Sequence, residues 1–154
     1  LDDVERERIL ELLAREGGDK KRTAELLGIS LKTLYNKLHR YGVMGDAKEL
    51  LNFIKWTKAR YPARRYALIL WNHGNGWLRG NPTDYGSKGI SYDEETGNNI
   101  DIPQLGRVLA GAGGVDLLAT DACLMQMAEV AYEVKDSVSF MVGSEETEPG
   151  SGYS

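Results

Sequence analysis

The chain has 154 residues, 42% of them apolar and 27% charged, with a net charge of -4, which fits one ordinary domain or two small ones and excludes a disordered tail. The longest unbroken apolar run, Tyr66 to Trp71, falls far short of a membrane span, no signal-peptide pattern opens the chain, and its start at Leu1 rather than Met suggests a fragment. A single cysteine, Cys123, excludes an internal disulfide and any multi-thiolate zinc site, and only His39 and His73 offer imidazole chemistry.

Residues 1 to 43 read as three helices. Leu1 to Glu16 carries Val4, Ile9, Leu10, Leu12 and Leu13, more apolar side chains than one narrow stripe needs. Gly17-Gly18 stops this helix and Asp19 is placed to cap the next, which runs to Leu27. Gly28 supplies a left-handed turn residue, and Ser30 caps a third helix, Leu31 to Tyr41. Small Ala24 permits close helix approach, while Ile29 and Leu34 fill the angle between helices, as in a helix-turn-helix whose second helix enters a DNA major groove. Charge follows the same division. Residues 1–18 carry net -3, residues 19–43 net +4 and the remainder net -5, so a local anion-binding surface is expected on the middle block. The third helix would present Lys32, Thr33, Asn36, Lys37 and Arg40, with Asn36 suited to a bidentate base contact and the others to phosphate oxygens. A helical hairpin with solvated charges is the alternative.

The segment GGDKKRTAELLGISLKTLYNKLHRYGV resembles the Fis-type DNA-binding domain found at the C-terminus of NtrC-like activators. That resemblance covers essentially all of residues 1–43. It implies a homodimer on a pseudo-palindromic site, with DNA held through residues 19–43, and gives the surplus apolar face of the first helix a partner. Leu31 departs from the basic residue often found there in Fis itself.

From Met44 the pattern changes, with no Gly, Ser or Pro spacer at the junction. Asp46 and Glu49 form a capping-box pair for a helix containing Ala47, Leu50, Leu51 and Ile54, which ends at Tyr61-Pro62. Tyr66 to Trp71 reads as a strand buried on both faces. Gly89 to Asp93 is a short strand; Asp101 and Pro103 open a helix stopped by Gly111, Gly113 and Gly114. Val115 to Thr120 is a second buried strand, Met125 to Val134 a helix and Phe140 to Gly143 a third strand. Strands alternating with helices predict a parallel sheet with right-handed crossovers.

In open parallel sheets, functional groups gather just past the carboxyl ends of strands. The first buried strand runs into Asn72-His73-Gly74 and the second into Asp121-Ala122-Cys123. If these strands are neighbours, an imidazole and a thiol share one rim, the minimal equipment for covalent acyl transfer. The thiolate attacks a carbonyl, the imidazolium protonates the leaving amine, and the N–H groups of Gly74 and Cys123 hold the oxyanion. On spacing alone two bland alternatives stay open: a small buried thiol and an ordinary loop histidine.

The stretches MGDAKELLNFIKWTKARYPARRYALILWNHGNGW, GISYDEETGNNID, VDLLATDACLMQMAEVAYEVKD and MVGSEETEPGSGY resemble the clostripain family of cysteine peptidases. The resemblance spans residues 44–154 and implies a caspase-like α/β fold, here a parallel-sheet fragment with helices, preceded by the small all-α helix-turn-helix domain of residues 1–43. It implies His73 as catalytic histidine and Cys123 as nucleophile, with cleavage after Arg or Lys of a peptide or protein. Asp121 matches one acid of the specificity pocket, where it could pair with a cationic side chain; capping of the following turn is its other reading. Self-cleavage between the His and Cys blocks, as in the family, would fall after Arg79 or Lys88; both also read as solvated loop charges. Some members need calcium. Asp93, Glu94, Glu95, Asp101 and the acids of 145–148 lack an EF-hand spacing, so no cofactor or metal site is expected.

Family members carry at least one more core strand before the part that starts at Met44, and further structure beyond EETEPG. The His-bearing strand is therefore expected to lie exposed along an edge. Two functions follow: a clostripain-type cysteine endopeptidase joined to a sequence-specific DNA-binding module, or a dimeric DNA-binding regulator with an inactive or artefactual peptidase segment. A working DNA module implies the cytoplasm, although the peptidase family is commonly exported; neither reading involves a membrane.

Overall fold

The computed structural model describes residues 2–41, 45–77, 89–93 and 97–148. Three helices come first: α1 (Asp2–Arg15), α2 (Lys20–Leu27) and α3 (Leu31–Arg40). The Asp19 side chain accepts from the Arg22 N–H at 2.9 Å, and Ser30 Oγ accepts from the Thr33 N–H at 3.0 Å, so both predicted caps form. Gly28 adopts φ 67°, the left-handed conformation that turns α2 sharply into α3. Ile9 of α1, Ala24 of α2, and Leu34 and Leu38 of α3 are almost fully buried and close a small core.

The second part runs α4 (Ala47–Arg60), β1 (Ala67–Trp71), β2 (Gly74–Gly76), β3 (Gly89–Ile90), α5 (Ile102–Gly111), β4 (Val115–Asp121), α6 (Ala128–Val134) and β5 (Val138–Val142). Asp46 caps α4 by accepting from the N–H groups of Lys48 and Glu49. Asp101 and Gln104 form a reciprocal capping box on α5. Strands β1, β4 and β5 form a parallel sheet in that spatial order, so β1 and β4 are neighbours and β1 lies at an edge. A separate two-stranded antiparallel ribbon joins β2 to β3.

Strand order advances in one direction, so right-handed crossovers place α5 and α6 on the same side of the sheet. Leu68, Leu118 and Met141 occupy one cross-strand row and pack with Ile54 of α4, Leu105 and Leu109 of α5, and Val130 of α6. Each fully buried leucine or isoleucine there stabilises the fold by about 1.5–3 kcal/mol relative to exposure.

Among the described residues, no helix or strand covers the opposite sheet face. Its rows contain Ile69, Ala119 and Val142, and Ala67, Leu117 and Phe140; Ile69, Trp71 and Phe140 are 65%, 70% and 68% exposed. The expectation that β1 is buried on both faces is therefore corrected. Its apolar run suits a strand covered on both sides, yet no described element covers its outer side; its place at the edge is as expected. Three further boundaries differ, the first being β3, which stops at Ile90 rather than Asp93. Residues 122–127 form a turn and α6 begins at Ala128 rather than Met125, because Leu124 takes φ 60° and Met125 is fully buried in the turn. Strand β5 begins two residues earlier than the pattern suggests, since Val115 on β4 pairs with Val138.

Candidate active site

Register decides what meets at the carboxyl rim. Trp71 of β1 pairs in parallel with Asp121 of β4, and the Asn72 N–H reaches the Asp121 carbonyl at 3.4 Å. His73 and Cys123 therefore each stand two residues past the same rung. The following residue brings the backbones closer still. A Cβ added to Gly74 would lie 2.6 Å from the Cys123 carbonyl oxygen and 2.9 Å from Ala122 Cβ, a space only glycine fits.

Each side of the rim is held by its own backbone bonds. The His73 N–H donates to Asn72 Oδ1 at 2.6 Å, while its carbonyl accepts from the Ser91 N–H at 3.1 Å. Gly74 pairs with Ile90 in the ribbon, so the histidine strand is tied to β3 immediately after the imidazole. The His73 residue is exposed and Cys123 is half-buried. On the cysteine side, the segment following β5 runs across the turn. The Leu124 N–H donates to the Glu146 carbonyl at 3.0 Å and the Gln126 N–H to the Ser144 carbonyl at 2.9 Å. The Glu148 N–H donates to Cys123 Sγ at 3.2 Å. Sequence reasoning missed this contact, because a backbone donor carries no residue signature.

Asp121 ends β4 half-buried, on the same sheet face as Trp71. Arg79, Lys88, Glu94 and Glu95 lie outside the described residues. The remaining candidate calcium ligands do not converge: Asp101 is committed to capping α5, with Oδ1 accepting from the Gln104 N–H at 2.6 Å. Among the described residues no group of three or more His, Cys, Asp or Glu side chains could hold a metal ion.

On α3 the five predicted contact residues separate. Lys32, Asn36 and Arg40 are exposed. Thr33 is half-buried, its hydroxyl 2.7 Å from that of the capping Ser30. Lys37 is also withdrawn, its Nζ 2.8 Å from both carboxylate oxygens of Glu5 on α1. Tyr41 donates its hydroxyl to the same carboxylate. Hydrogen bonds from Lys37, then from Tyr41, hold the Glu5 carboxyl below its ordinary value of 4.5. This stabilisation is present above that ordinary value and is lost as pH falls through the lowered one. Glu5→Gln should therefore lower the melting temperature of the helical part at neutral pH, with the two melting curves converging in acid. A constant gap across pH 2–7, read by circular dichroism, would contradict that tie.

The surplus apolar side of α1 is partly used within the chain. Leu10, Leu13 and Ala14 face Phe53 and Trp56 of α4 across a narrow groove of about 150 Å³.

The clostripain-family model matches residues 32–154. The chain belongs to the clostripain family. A family model of bacterial regulatory proteins of the Fis family matches residues 1–41, so both models claim most of α3. Clostripain of Hathewaya histolytica is 38% identical over 98 residues, 60% of this chain and 18% of that protein. A secreted C11 cysteine protease from Bacteroides thetaiotaomicron, solved with an irreversible peptide inhibitor, is 32% identical with a TM-score of 0.60, over 70% of this chain and 30% of that one. An inactive zymogen C11 protease from Parabacteroides distasonis is 28% identical with a TM-score of 0.55, over 71% and 29% respectively. The chain thus spans less than a third of each of these clostripain-family relatives. The fold agrees: a parallel three-stranded sheet with helices in a caspase-like arrangement, preceded by a small helical unit. Among the described residues no helix is long and apolar enough to cross a membrane.

Proposed function

We propose that residues 44–154 carry the chemistry of a clostripain-type cysteine endopeptidase. In this reading Cys123 is the nucleophile and His73 the acid–base partner. The thiolate adds to the carbonyl carbon of a peptide bond, and the N–H groups of Gly74 and Cys123 receive the oxyanion. His73 gives its proton to the leaving amine, and water then hydrolyses the thioester with His73 accepting a proton. The observation that carries the proposal is the shared register of the β1 and β4 ends, with Gly74 set against the Cys123 carbonyl.

Asp121 is proposed to receive an Arg or Lys side chain on the residue preceding the cleaved bond, giving cleavage after basic residues. Self-cleavage after Arg79 or Lys88 belongs to the same proposal. The test is hydrolysis of peptide amides ending in Arg, Lys or norleucine by the full chain. Asp121→Asn should reduce kcat/KM for the basic amides by about 10–100-fold, the loss of one charged hydrogen bond, and leave the norleucine amide nearly unchanged. Equal losses on all three would remove Asp121 from the pocket.

Residues 1–43 are proposed as a DNA-binding module, with Lys32, Asn36 and Arg40 directed to duplex DNA and two copies pairing through α1. A DNA-bound state would require the cytoplasm, whereas one solved relative is described as secreted. The bare sheet face carrying Ile69, Trp71 and Phe140 favours a second reading. There the DNA-binding part acts alone and the peptidase part is inert until that face is covered.

A further inference from the structure

The exposed side of α3 contains two adjacent rows rather than one. Lys32, Asn36 and Arg40 recur every four residues and form a basic, polar row. Beside them Leu31 and Tyr35, also four apart, form an apolar row; they are 41% and 39% exposed. The apolar row lies in the first half of the helix, the part that a helix-turn-helix presents to base edges. One of its two residues has a cationic neighbour. Lys20, at the start of α2, holds its Nζ 5.9 Å from the centre of the Tyr35 ring. Around this patch the chain is basic, net +4 over residues 19–43, although the whole protein is acidic. That charge complements a polyanion and disfavours an ordinary apolar protein partner.

We infer that Leu31 and Tyr35 are specificity-determining residues that read the 5-methyl group of thymine in the major groove, alongside a polar contact from Asn36 to an adjacent base. Thymine is the base whose major-groove edge offers an apolar group, and Asn is matched to the N6 and N7 of adenine. The two rows together therefore select half-sites rich in A·T pairs rather than the guanine contacts a basic residue at Leu31 would favour. Lys37, withdrawn onto Glu5, takes no part. This inference rests on the proposal that residues 1–43 bind DNA.

The experiment selects binding sites from a random duplex library with the full chain, then measures affinity by fluorescence anisotropy at fixed salt. Thymines of the selected site are replaced singly by uracil, which removes only the methyl. Uracil at one half-site position should weaken the wild-type chain about fourfold, the free energy of one buried methyl-sized group. Leu31→Ala should lose the uracil penalty at one thymine of the half-site and keep any penalty that Tyr35 sets at another. Tyr35→Phe should keep the methyl preference and Tyr35→Ala should reduce it. Circular dichroism would verify that each exposed-site variant folds. Uracil tolerated at every position, or uracil penalties unchanged at every position in Leu31→Ala, would overturn the inference while leaving DNA binding intact. Failure to bind any duplex, with no salt-dependent retention, would overturn the DNA-binding proposal itself and this inference with it.

Discussion

Cys123→Ala should reduce hydrolysis of an arginyl amide by at least about a thousandfold, to the background of the buffer. Without the sulfur no acyl intermediate forms, and the chain has no second cysteine to replace it. His73→Ala should give a loss of similar size for a different reason. The thiol persists, but the amine leaves unprotonated and the thioester lacks a base. The double variant should be no slower than either single variant, since the pair acts as one unit. Burst kinetics with an activated ester separates the roles, because His73→Ala retains the acylating sulfur. Full turnover by Cys123→Ala would assign the chemistry elsewhere.

The second large effect is expected at Gly74. Valine there would drive its Cβ to within 2.6 Å of the Cys123 carbonyl oxygen and 2.9 Å of Ala122 Cβ. Neither neighbour is the free end of a flexible side chain, so the two strand ends must separate. We expect Gly74→Val to lower turnover by about a hundredfold, the usual consequence of misplacing reacting groups by about an ångström. Overpacking should also lower stability by about 2 kcal/mol in urea titration. Gly111→Ala is the control. Its Cβ would meet Leu51 Cδ1 at 3.5 Å, an ordinary contact, so turnover should stay constant and stability should not fall. Wild-type turnover in Gly74→Val would show that the rim tolerates displacement.

Most of the scaffold was legible because its signals are local. Asp19, Ser30, Asp46 and Asp101 all act as the helix caps their sequence context suggests. The runs around Leu68 and Leu118 marked neighbouring strands, whose ends frame His73 and Cys123. What escaped depends on distant partners. Lys37 was assigned to an outward face, yet Glu5, 32 residues away, draws it inward. The ribbon through Gly74-Asn75-Gly76 has no strand-forming composition and exists because β3 pairs with it. The turn at Leu124 could not be separated from the helix after it, since residues 144–148 impose its shape through backbone bonds. The outer half of β1 was misjudged because an apolar run states what a strand prefers, not what lies beside it.

The parallel pairing of β1 with β4 also links robustness to alignment. Sliding β1 by one residue would move the imidazole about 3.3 Å along the sheet and turn Leu68 outward in the same movement. The hydrophobic reward for keeping Leu68 beneath the helices thus polices the spacing between ring and sulfur. Drift of the proposed pair by a full rung is accordingly not a gradual loosening but a defect that the interior itself penalises.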